Sequence, residues 1–187
     1  MEDIKSFTTQ KAFETWLDKN HTKAPALFIR IFKKASGKKT ITYAEALDVC
    51  LCYGWIDSVK KSYDAESYLQ RFGPRRAKGL WSKVNREHIA RLIKENRMKP
   101  EGLAQVEAAQ KDGRWDAAYD SPKNTVLPED FLNEIKKDAK TYEFFLTLNK
   151  TNTYAIAFRL STAKKPETRA KRMAAILEML KEGKKFY

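Results

Sequence analysis

Cysteine and histidine are scarce: the 187-residue chain has two of each. Cys50 and Cys52 sit two apart in a segment that reads as a helix, so their side chains leave in different directions. A disulfide between them is not expected, and a C-x-C pair without further soft ligands is not a zinc site. His21 and His88 are far apart in sequence, so no metal centre is expected. The seven glycines form neither a Gly-x-Gly-x-x-Gly fingerprint nor a P-loop, and no serine stands at a nucleophile elbow. These absences argue against a nucleotide-dependent enzyme, and no cofactor is expected. No window approaches the roughly 20 apolar residues of a membrane helix. The start, MEDIKSFTTQKAF, opens with two acids and lacks the apolar centre of a secretory signal, which predicts a cytoplasmic protein.

Positive charge, by contrast, is plentiful. Lysine and arginine number 37 against 24 acids, a net charge of +13. Such a field attracts nucleic acid, acidic lipid or an acidic protein, and by itself does not choose among them. The apolar share, 42% with 12% aromatic, is that of a folded domain rather than a disordered tail. Much of the excess is local, since Arg71–Lys99 holds ten basic residues and two acids.

The most informative stretch is Thr42–Arg76. Thr42 and Glu45 have the spacing of a capping box, and an apolar helical face follows as far as Gly54, which suits a left-handed stop. Trp55 to Phe72 is rich in β-formers and broken by the turn-like Tyr63-Asp64-Ala65-Glu66. Upstream, Phe7–Asn20 reads as a helix capped by Thr8 or Thr9, and ALFIRIFKK as a strand apolar on both faces. Downstream, Asn85 is the cap expected for a helix running to about Asn96, and Pro100 opens another. Trp115–Asn124 reads as a loop. Four helices then follow, the last carrying Met173, Ile176, Leu177 and Leu180 as a core stripe.

This predicts an α+β protein with a small mixed or antiparallel sheet and packed helices in the N-terminal half, and a helical bundle in the C-terminal half. The divisions are 1–99, a connector at 100–126, and 127–187.

Two groups of residues carry candidate chemistry. Arg71, Arg75, Arg76, Trp81, Lys83, Asn85 and Arg86 form a basic cluster in which arginine forks suit phosphate or carboxylate and an indole can stack on a base. Asn85 and the first N–H groups of its helix add an anion nest. The competing reading makes Phe72 and Trp81 core and the charges a solvated rim. Asp48 and Asp57 are the weaker, catalytic candidates: paired carboxylates act as acid and base when their environments separate their pKa values. With Arg71 they would need a shared cleft. The plainer alternative pairs Asp48 with Lys60, Lys61 or Arg71.

PEDF, YEFFLTLN and STAKKPETRAKRM followed by LKEGK, together with TYAEALDVCLCYGWIDSVKK and LQRFGPRR, resemble the YdeI/OmpD-associated, or bacteriocin-protection, family. The likeness extends over nearly all of the chain from about Ala26. It implies a part in protection against bacteriocins or cationic antimicrobial peptides and association with an outer-membrane porin, and supplies no catalytic residues. The resulting expectation is a non-enzymatic binder of an anionic macromolecule or acidic protein. A nucleic-acid module is one alternative, and an enzyme using Asp48, Asp57 and Arg71 is another.

Overall fold

The computed structural model describes residues 3–187. The elements run β1 (Ile4–Lys5), α1 (Gln10–Asn20), β2 (Leu27–Phe32), α2 (Tyr43–Cys52), β3 (Trp55–Ser62), β4 (Ser67–Pro74), α3 (Lys83–Lys94) and α4 (Pro100–Lys111). They continue with α5 (Glu129–Ile135), α6 (Ala139–Leu146), α7 (Lys150–Ser161) and α8 (Pro166–Lys181). The class is α+β, with one mixed four-stranded sheet and eight helices among the described residues. Two compact units emerge: residues up to Trp81 with Asn85–Ala117, and Ser82–Val84 with Ala118–Tyr187.

In the first unit the strand order is β1-β2-β4-β3, with β1 parallel to β2 and the other pairs antiparallel. The turn Tyr63–Glu66 joins β3 to β4. Asp64 holds it by accepting from the Glu66 amide at 2.9 Å and the Ser67 hydroxyl at 2.7 Å. The register puts Leu27 opposite Phe72 and Ile31 opposite Tyr68. Phe72 meets Phe13 of α1 and Tyr43 of α2, which identifies this as the helix-packed face. The alternate residues Phe28, Arg30, Phe32, Leu69 and Arg71 point the other way.

α2 has the expected capping box. The Thr42 hydroxyl accepts from the Glu45 amide at 3.2 Å, and the Glu45 carboxylate takes the Thr42 amide at 2.8 Å. Those bonds hold the Glu45 carboxyl below its usual range. Gly54 ends the segment at φ 70°, where a Cβ would meet the Gln105 side chain and the Glu101 carbonyl. Gly102 is tighter still: α4 crosses so close that an added Cβ would lie 2.2 Å from the Cys52 carbonyl oxygen.

One boundary corrects the sequence reading. α3 begins at Lys83, so Asn85 lies inside its first turn instead of capping it. The residue before that start is Ser82, itself a favoured cap type, and it also forms a parallel bridge with Tyr119.

The second unit is helical. Phe131, Ile135, Phe145, Ile156, Leu160 and Ile176 form its centre. Buried Asn152 accepts from the amides of Phe186 and Tyr187 and donates to the Tyr187 carbonyl, tying the last residues to α7. The quoted motifs meet here. Arg169 of the TRAKRM segment grips Asp130 of PEDF through two hydrogen bonds, 2.5 and 2.8 Å.

Candidate anion-binding surface

The structure distributes the seven cluster residues over different surroundings. Arg75 is buried, with its guanidinium 3.6 Å from the Trp81 ring and one N–H donating to the Leu80 carbonyl at 3.0 Å. Trp81 is 2% exposed and packs edge-on against Trp115. An indole so enclosed has no face for a base. Arg86 donates to the Trp115 carbonyl at 2.8 Å and lies over the same ring. Lys83 pairs with Asp120 at 2.7 Å, in the second unit. Arg76 and Lys78 are exposed beyond the end of β4. Arg71 is half-buried on the sheet and donates to the Ser58 hydroxyl at 3.3 Å.

Around Arg71 the sheet carries a surface that the sequence reading passed over. On the face turned away from α1 and α2, cationic side chains lie across aromatic rings. Lys61 Nζ is 5.2 Å from the Phe28 ring, and the Arg30 guanidinium is 4.5 Å from Phe32 and 5.1 Å from Tyr63. Phe28 pairs with Arg71, and Lys61 with Leu69, so these groups are neighbours by strand register. Tyr63 is 50% exposed at the hairpin end, and Lys61 is exposed. Arg30 is braced by Ser67 at 3.0 Å and Asp64 at 2.7 Å. These bonds hold the Asp64 carboxyl below its ordinary value, the Ser67 hydroxyl contributing most. In the sequence the clue was Arg30 standing at period two between Phe28 and Phe32. Without a register, it could not be joined to Lys61, Tyr63 and Arg71.

The two carboxylate candidates hold different partners. Asp48 receives both of its oxygens' bonds from Arg91 Nη2, at 2.6 and 2.8 Å, with His88 Nδ1 at 3.2 Å and Arg97 at 3.8 Å. The partners suggested by sequence, Lys60, Lys61 and Arg71, are replaced by cations of α3 and of the loop after it. Asp57 accepts the Tyr43 hydroxyl at 2.9 Å. Burial, reinforced by the Asp57 charge, raises the Tyr43 phenol well above its usual range, so it remains a donor.

Burial also pushes the Cys52 thiol up to about 11 and raises the Cys50 thiol well above its ordinary value, so neither is a ready nucleophile at neutral pH. Among the described residues, no group of three His, Cys, Asp or Glu side chains has the arrangement to hold a metal ion. No helix among them is long and apolar enough to cross a membrane.

Two family descriptions match the sequence. Residues 5–105 match "Domain of unknown function (DUF8412)", and residues 124–183 match "Bacteriocin-protection, YdeI or OmpD-Associated". The resemblance seen in the motifs is thus matched over the helical second unit, while the sheet and its helices match a separate description. No curated protein and no solved structure matches the chain.

Proposed function

Since the chain belongs to the family described as a domain of unknown function (DUF8412), we propose its function from its own surface: it binds an anionic macromolecule on the outer face of the sheet, and single-stranded nucleic acid fits that face best. The observation that carries this is the set of cations laid over aromatic rings, Lys61 on Phe28 and Arg30 on Phe32 and Tyr63, beside Arg71. Single strands are bound by such sheets when bases stack on accessible rings, here the exposed Tyr63 and the half-buried Phe32, while cations follow the phosphates. A duplex offers its bases only at groove edges and makes no use of the rings.

The second unit's match to a bacteriocin-protection description brings a cellular role into the same proposal. A chain of net charge +13 repels cationic peptides, so capture of the toxin is disfavoured. Occupying the anionic targets that such peptides seek, inside the cytoplasm, is consistent with the charge. This is binding rather than catalysis.

The test is a titration of a labelled single-stranded oligonucleotide across a salt series. The native chain should lose affinity linearly in log salt, by about 0.7 per phosphate contacted. Lys61→Ala with Arg71→Ala should flatten that slope by about 1 to 2. Tyr63→Ala should cost about 1–3 kcal/mol if a base stacks there. Equal slopes for native and double variant, or tighter binding of duplex than of single strand, would overturn the reading.

A further inference from the structure

At the Phe32 end of β2 lies a cleft of about 600 Å³ that shares only Phe32 with the strand-binding proposal. Its walls are Ile31, Phe32, Tyr43 and Tyr68, and the loop after β2 crosses its rim with Lys33, Lys34, Lys38 and Lys39. The size lies within the range of small-ligand clefts.

The loop is built, not slack. A short 3₁₀ turn at Lys34–Ser36 leads to Gly37 at φ 68°, a left-handed conformation that glycine adopts without strain. The Ser36 hydroxyl donates to the Lys33 carbonyl at 2.8 Å and accepts from the Lys38 amide at 3.2 Å. The opposite wall is the capped start of α2, where Tyr43 is fixed by Asp57.

The four lysines differ in what they already hold. Lys33 Nζ donates to the Ala65 carbonyl at 2.8 Å, and Lys38 pairs with Glu66 at 2.6 Å. Lys34 and Lys39 have no side-chain hydrogen bond or ion pair among the described residues. The nearby acids are engaged: Glu45 in the helix cap, Glu66 with Lys38, and Asp57 with Tyr43. The cleft therefore joins an aromatic floor to two uncommitted positive charges at its rim.

We propose that this cleft is a binding site for a small aromatic anion, with its ring against Phe32, Tyr43 and Tyr68 and its carboxylate, sulfonate or phosphate at Lys34 and Lys39. An aliphatic anion would leave the rings unused, and an uncharged aromatic would leave the lysines unpaired. The site shares Phe32 with the sheet's outer face but does not rest on nucleic-acid binding.

The experiment uses two probes on the full chain, 8-anilinonaphthalene-1-sulfonate followed by fluorescence and adenosine 5′-monophosphate followed by amide chemical shifts. Both should bind saturably, and the shifts should centre on Gly37, Lys38 and Tyr43. Lys34→Ala with Lys39→Ala should weaken both at least tenfold, whereas Lys123→Ala with Lys150→Ala, in the second unit, should leave them unchanged. The cleft lysines changed here are exposed and unbonded, so the variant should melt like the native chain. Unchanged affinity in the Lys34/Lys39 variant, or shifts centred elsewhere, overturns the proposal. A failed oligonucleotide titration with saturable probe binding removes only the strand-binding function.

Discussion

Arg75 and Trp81 show how residue type and residue role separate. Both belong to a sequence segment dense in positive charge, yet they are stacked on each other inside the first unit. A guanidinium over an indole is a packed, weakly hydrated pair, and arginine is better suited to it than lysine. Gly102 makes a sharper point at the same scale. Its missing Cβ lets α4 approach the end of α2, and the atom in the way is a backbone carbonyl that cannot swing aside. Gly102→Ala gains helix propensity but overpacks this crossing. We expect a net loss of about 1–3 kcal/mol, read as a lower urea midpoint. A variant as stable as the native chain would show that the two helices separate freely.

At the scale of the element, α7 is anchored through one amide. Asn152 is 1% exposed, and its side chain serves the Phe186 and Tyr187 amides and the Tyr187 carbonyl at once. Asn152→Ala leaves these groups without that partner, which should lower stability by about 1–3 kcal/mol and speed amide exchange at both residues. Asn152→Asp keeps the acceptor but loses the donor to Tyr187, so its exchange rates should fall between the two. Equal exchange in all three proteins would mean that the terminal residues are held by other contacts, such as Arg159 over the Phe186 ring at 3.9 Å.

For the whole molecule the governing quantity is charge. Glu45, Asp64, Glu95, Asp130 and Asp138 all titrate below their ordinary values, through bonds to Thr42, Ser67, Arg91, Arg169 and Thr141 respectively. Depressed folded values mean that the unfolded chain binds protons first on acidification. Their stabilisation is complete above the unfolded carboxyl range near about 4 and is lost as pH falls through the folded values. These groups are close to fully solvated, so each contributes little singly and salt screens it. Protonation also adds to a positive charge already at +13. The melting temperature should therefore fall between pH 7 and pH 3, and Asp130→Asn should start lower but decline less. A flat pH profile in the native protein would show that these bonds do not contribute net stability.

The local elements were legible because their causes are local. The capping box at Thr42, the stop at Gly54, the turn at Asp64 and the prolines opening α4 and α8 are each set by residues within a few positions of one another. Net charge and the α+β class followed from composition and periodicity in the same way. The candidate surfaces were not legible, because each depends on which chain segments become neighbours. Strand register places Arg30, Lys61 and Arg71 beside aromatic rings, and burial takes Trp81 out of solvent. The cleft beside the loop after β2 is completed by Tyr68 of β4, which strand register sets opposite Ile31, and this is why Lys34 and Lys39 read as an ordinary turn. Sequence alone determined how much positive charge the protein carries and where its helices and strands begin to form. Tertiary structure decided which of those charges are spent on internal partners and which face outward, since pairing and exposure are properties of residues far apart along the chain.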